Sequence, residues 1–144
     1  MASRVGTYDP KFVKVTVNGV SVTGFSDSTF IAISQISEGT TSKTGADGEI
    51  GRAKSSDMRH SVTLTLLQTS DTNDVLSTLL MLDQRTPGGK TFPVSISDLA
   101  GRTVFMAAQA WITKFPDAEY GQEVGDRAWV LHTGEPSIYN IGGN

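Results

Sequence analysis

Fifteen carboxylate side chains, two histidines and no cysteine are the groups with which this 144-residue chain could do chemistry. A histidine acts as a general base or metal ligand when a partner at suitable spacing orients it or completes the coordination. His60 and His132 each sit in strand-like sequence beside polar residues, without histidine, cysteine or carboxylate at ligand spacing. Both read as surface or interface histidines. Gly88-Gly89-Lys90-Thr91 looks like the end of a phosphate-binding loop, but Gln84 stands where that motif needs its first glycine. The segment also follows a helical pattern and opens a strand, the reverse of what a phosphate cradle requires. Asp71-Thr72-Asn73-Asp74 begins like a calcium loop, yet Val75 and Leu76 take the places of a ligand and the obligatory glycine. Helix capping accounts for it. Gly45-Ala46-Asp47-Gly48-Glu49 reads as a solvated turn, not a cation site. Ser55-Ser56-Asp57 lacks the flanking glycines and nearby histidine of a nucleophilic serine. Trp111 and Trp129 fall within strands, where an aromatic packs against a core or a neighbouring subunit. No catalytic, cofactor-binding or metal-binding residue emerges, and the chain reads as a non-enzyme.

Without cysteine there are no disulfides or thiolate sites, so the fold must rest on a core. At 15.4 kDa the chain is expected to form one domain over 1–144, burying roughly 68–70% of its unfolded surface. Hydrophobic residues make up 38% and charged residues 19%, both low for a globular domain, while 17 Thr, 15 Ser and 15 Gly favour strands and turns. No apolar run approaches the ~20 residues of a membrane span, and the first ten residues lack a signal peptide's apolar stretch. The expectation is a soluble protein, made in a cytoplasm and not inserted in a membrane. A net charge of −3 argues against a sequence-blind grip on nucleic acid, which needs surplus lysine and arginine.

Val13, Val15 and Val17 alternate with polar residues, Asn18-Gly19 follows, and Val20 and Val22 resume the alternation. This pattern predicts a hairpin with a two-residue turn, Val17 opposite Val20 and five valines on one face. Thr29 to Ser37 carries Phe30 and Ile36 on one face and Ile31 and Ile33 on the other, as in a strand covered on both sides. Ser61 to Thr69 alternates again. Val75, Leu76, Leu79, Leu80 and Leu82 then recur at helical spacing behind the capping side chains of Ser70 to Asp74, and Pro87-Gly88-Gly89 stops the pattern. That predicts a helix over about 72–85. Strands are expected over Phe92 to Leu99, Thr103 to Phe115 and Asp126 to Thr133, with an irregular tail at 134–144. The architecture is mainly β, a sandwich or barrel of about seven or eight strands with one helix.

Glu38 to Arg59 is different in kind. These 22 residues hold four glycines and only Ile50 and Met58 as large apolar groups, too few to offset the cost of ordering. A long flexible arm is expected there, and loops of such length in a compact domain are usually functional or disordered.

The ordered set of Thr7-Tyr8-Asp9-Pro10, Thr44-Gly45-Ala46-Asp47-Gly48-Glu49, Leu64-Thr65-Leu66-Leu67-Gln68-Thr69-Ser70, Asn73-Asp74-Val75-Leu76, Phe92-Pro93-Val94, Asp98-Leu99-Ala100-Gly101-Arg102-Thr103, Ala108-Gln109-Ala110-Trp111-Ile112 and Trp129-Val130-Leu131 resembles the tail tube proteins of contractile-tailed bacteriophages. The resemblance covers about residues 7–133. It implies a β-sandwich-like or half-barrel domain with one flanking helix, related to the tube protein of type VI secretion systems. It further implies hexameric rings, whose sheets join into one continuous barrel, stacked into a hollow inner tube that conducts DNA without binding it specifically. The implied partners are other copies of the chain, the tail sheath, the baseplate hub and the tail terminator. The arm at 38–59 then becomes an inter-ring contact, with Asp47, Glu49, Ile50, Arg52, Lys54 and Arg59 as its candidates. Residues before Phe12 and the tail with Tyr139 and Ile141 are the next contact candidates. The strand faces of Ser61, Thr63 and Thr65 or of Ser95 and Ser97 are candidates for the lumen. A type VI or bacteriocin tube protein has the same implied fold. A β-sandwich carbohydrate-binding or adhesion module is the alternative from another class, but the aromatics lie in strands and not in a loop-borne row.

Overall fold

The computed structural model describes residues 3–144, so the first two residues of the N-terminal contact segment lie outside the described residues. After a 3₁₀ turn at Pro10–Phe12 come β1 (Val13–Val17), β2 (Val20–Ser21), β3 (Ile31–Gln35), β4 (Thr40–Thr44), β5 (Ile50–Lys54) and β6 (His60–Leu67). Helix α1 (Thr72–Arg85) follows, then β7 (Phe92–Asp98), β8 (Val104–Ile112), β9 (Asp126–Thr133) and β10 (Ile138–Asn140). The fold is mainly β with one helix. Eight strands form one antiparallel sheet in the order β2-β1-β7-β8-β9-β6-β3, with β10 also on β8; β4 and β5 pair only with each other.

The Asn-Gly turn sets the first hairpin. Asn18 (φ 51°) and Gly19 (φ 80°) both occupy the left-handed region that a two-residue turn demands, and Val17 pairs with Val20. Val15, Val17 and Val22 are buried, while Val20 stays exposed on β2, which ends the sheet among the described residues.

β8 gives the sheet its shape. It runs along β7 from Val104 to Ala110, with a bulge between Phe92 and Val94, but meets β9 only at Ala110, Trp111 and Ile112. β9 instead pairs with β6 over all eight of its residues. Beyond Thr133 the chain passes through Gly134–Ser137 and returns to β8, where Ile138, Tyr139 and Asn140 face Met106, Phe105 and Val104. Two wings thus share a short junction. Val15, Val17, Val94, Ile96 and Phe105 of one wing and Val62, Leu64, Leu66, Trp129 and Leu131 of the other form one core cluster. Each fully buried large apolar side chain contributes about 1.5–3 kcal/mol. The strict alternation of β6, with Val62, Leu64 and Leu66 buried and Ser61, Thr63 and Thr65 half-buried, is the period-2 signal of its sequence made physical.

α1 covers this core with Leu76 and Leu80. Its bounds match the spacing of its apolar residues, and within the capping run Ser70 is the residue that holds its start. The Asp71 side chain makes no capping bond; the Ser70 hydroxyl accepts from the Thr72 amide (3.2 Å) and donates to the Thr23 carbonyl (2.5 Å). Asn73 donates from Nδ2 to the Leu67 carbonyl (3.0 Å), and its Oδ1 accepts from Trp129 Nε1 (2.9 Å), tying α1 to β6 and β9. At the far end Gly88 (φ 82°) and Gly89 (φ 77°) turn the chain, and the Lys90 amide donates to Asp83 Oδ1 (2.6 Å). The Gly-Gly-Lys segment is a helix stop.

Three expectations change. The strands number ten, because the tail forms β10 and the arm supplies two. The arm is not structureless: Thr40–Thr44 pairs with Ile50–Lys54 in full register although all ten residues are exposed. Its order comes from backbone pairing and a tight turn, in which the Gly45 amide donates to the Glu49 carbonyl (2.7 Å) and the Glu49 amide to Asp47 Oδ1 (3.1 Å). A test based on apolar burial does not register such order. Finally, His60 is buried, not at the surface; its ring packs against Phe105 and Tyr139, with centroids 5.7 and 5.3 Å apart.

Candidate functional site

The surface features that could do something lie in two places, the β4–β5 hairpin and a groove beside β3. In the hairpin Thr44 faces Ile50, Ser42 faces Arg52 and Thr40 faces Lys54. Pleating therefore puts Ile50, Arg52 and Lys54 on one face with three hydroxyls, and Thr41, Lys43, Gly51 and Ala53 on the other. Ile50, 68% exposed, is a large apolar group next to the turn that carries Asp47 and Glu49. An apolar tip flanked by charges of both signs suits contact with a protein surface.

Arg59 sits at the hairpin's root, paired with Asp57. Its Nε and Nη2 donate to Asp57 Oδ1 (2.8 Å) and Oδ2 (2.9 Å), and its amide donates to Oδ1 (3.2 Å). From the opposite leg, the Ser37 hydroxyl donates to Asp57 Oδ2 (2.6 Å). The Arg59 hydrogen bonds first, and that of Ser37 second, hold the Asp57 carboxyl well below the usual carboxylate range. The Arg59 guanidinium is correspondingly raised by the same partner. Sequence reasoning missed Asp57 and Ser37. The available signal was Asp57-Met58-Arg59, a carboxylate two residues before an arginine where the arm rejoins the sheet.

Tyr139 and Ile141 lie in the C-terminal segment, outside the arm. Tyr139 is half-buried in T-shaped contact with Phe105 and His60, and burial raises its phenol above its ordinary value. Ile141 is 75% exposed. Both line an open groove of about 520 Å³, together with Tyr8, Phe30, Ile31 and Ile33. β3, the last strand of the sheet, forms one wall, and its outer edge pairs with no strand among the described residues. The structure thus gathers the eight expected contact residues into two groups, six on or at the root of the hairpin and two at the groove. The groove itself was not foreseen, since Phe30, Ile31 and Ile33 read only as a strand with two apolar faces.

The profile of a family described as "Bacteriophage PhiTE tail tube protein" matches residues 12–140, nearly the whole chain. The chain belongs to this phage tail tube family. It is a structural component of the phage tail and not an enzyme. "Structural protein ORF10" of Pseudomonas phage KPP10 is 29% identical over 151 residues, covering all of this chain and 87% of that one. Among solved structures, the tube-terminating cap of the anti-feeding prophage aligns with a TM-score of 0.64 at 14% identity, over 98% of this chain and 97% of that one. The sheath/tube terminator of an extracellular contractile injection system (PVC, extended state) aligns with a TM-score of 0.58 at 13% identity, over 96% of this chain and all of the other. At such identities these two likenesses concern the fold of the tail tube protein. Family membership also displaces the carbohydrate-binding alternative.

Proposed function

We propose that this tail tube protein assembles in the host cytoplasm as hexameric rings that stack into the inner tube of a contractile tail. The single observation that carries this reading is the β4–β5 hairpin: all ten strand residues are exposed, so it stands clear of the subunit's own core. A two-stranded hairpin alone is marginally stable in water, and such a projection is best explained by a partner that covers it. The partner is the adjacent ring, met by Asp47, Glu49, Ile50, Arg52 and Lys54. The free edges at β2 and β3 favour side-by-side joining of neighbouring sheets, which removes the edges that invite aggregation. Tyr139 and Ile141, at the open groove, contact a neighbour within the ring. The tube serves as conduit for DNA ejection, with the sheath around it and the baseplate hub and terminator at its ends. Every added copy brings a net −3, which disfavours adhesion of the passing phosphates.

Electron microscopy of the purified protein tests this. Tubes or rings on the order of 100 Å wide are expected, from one domain of this size on each side of a pore. Ile50→Asp should leave the monomer folded and suppress tubes. A parent protein that remains monomeric at all concentrations and with a tail baseplate added would refute the assembly reading. A second reading draws on the two solved likenesses: the chain closes the end of a tube instead of building it. Single rings that never stack and bind preformed tubes at one end would favour that reading.

A further inference from the structure

The hairpin's direction poses a mechanical problem. Its ten strand residues are exposed, so nothing in the core aims it. Its orientation rests on its two legs, residues 36–39 and 55–59. Two backbone bonds join them, from the Ile36 amide to the Arg59 carbonyl (3.2 Å) and from the Ser55 amide to the Gly39 carbonyl (2.9 Å). One side chain closes the rest. Both Asp57 oxygens receive two donors: Oδ1 from the Arg59 amide and Nε, Oδ2 from Arg59 Nη2 and the Ser37 hydroxyl. The Asp57 amide in turn donates to the Ser55 hydroxyl (3.1 Å).

We propose that Asp57 is the positioning residue of the tube, a clasp across the hairpin's legs that sets the angle at which the arm meets the next ring. The proposal rests on reading the hairpin as the inter-ring arm. An exposed ion pair adds little to global stability, so Asp57 matters through orientation and not through the melting temperature. A preset arm removes ordering cost from the association step, and affinity or rate gained this way needs no new contact. Each member of the clasp has a separable part. Ser37 alone ties the leading leg, Arg59 binds through its planar fork, and Asp57 joins the two. The same Arg59 and Ser37 bonds hold the Asp57 carboxyl below its ordinary range, so the clasp stays charged to lower pH than a free carboxylate would.

The absence of cysteine makes the test direct. Ala53→Cys and Thr69→Cys, both exposed, place a spin-label pair between the hairpin and the body of the monomer. Asp57→Asn and Ser37→Ala should broaden the measured distance distribution and slow tube growth roughly ten-fold, the equivalent of one ordered side chain's worth of orientation, with melting unchanged. Arg59→Lys should fall between parent and Asp57→Asn. Ser56→Ala, outside the clasp, should behave as the parent. A chain whose residues 41–53 are replaced by a Gly-Ser linker separates the two readings. If the linker variant fails to polymerise while Asp57→Asn and Ser37→Ala match the parent in distance and rate, the clasp is overturned and the arm stands. If the linker variant polymerises normally, the arm reading falls and the clasp falls with it. A large drop in melting temperature for Asp57→Asn without broadening makes Asp57 a stability residue and also overturns the proposal.

Discussion

The indole of Trp129 is buried, and its one polar atom finds an acceptor 56 residues away at Asn73. A buried donor left without partner costs its full desolvation, so Asn73→Ala should lower stability by about 1–3 kcal/mol in urea unfolding. The Leu67 carbonyl keeps its bond from the Ser70 amide (3.0 Å), so the loss is set by the indole donor. Tyr139 offers a pH test. Burial keeps its phenol neutral above the ordinary value of 10.0, so the folded state binds a proton that the unfolded chain releases first. Stability is therefore intact below pH ~10 and falls as the pH rises through and beyond that value. Thermal melts between pH 9 and 11.5 should show this slope in the parent and a shallower one in Tyr139→Phe. Such residue-level facts were illegible beforehand. Sequence placed Asn73 in a capping run and His60 at the surface or an interface, and only the register of β6, β9 and β10 brings Asn73 to Trp129 and His60 to Tyr139.

Elements were legible where local chemistry suffices to specify them. Asn18-Gly19 forces its turn because both positions need positive φ, and the apolar spacing of Val75 to Leu82 fits a helix alone. A β-branched residue in the left-handed region costs about 1–2 kcal/mol or more, so Gly19→Val should reduce stability by at least that amount in the same urea assay. Ala in place of Leu80, which is buried on the core face of α1, should cost more, about 2–5 kcal/mol. The β4–β5 hairpin was legible as a segment and not as a structure. Its threonines satisfy strand preference, but Lys43, Gly51, Arg52 and Lys54 supply no buried face, and hydrophobic counting finds nothing. Its backbone hydrogen bonds form across a four-residue turn at Gly45–Gly48, a source of order that composition does not register.

At the scale of the whole molecule, the groove beside β3 and the exposed Ile50 and Ile141 leave apolar surface that an isolated monomer presents to water. A hydrophobic dye such as ANS should bind the monomer, and its fluorescence should drop as tubes form; equal binding before and after polymerisation would show that the groove stays open. The place of the groove follows from where the sheet ends, which alternation along single strands does not specify. The hairpin has one more consequence. In a ring generated by rotation every subunit holds its arm toward the same side. In the hexamer proposed above, one rim would present six arms and the opposite rim six receptors, so the growing polymer would have unlike ends. Elongation and capping become questions of polarity, and a protein that stops growth at one end has no purchase on the other.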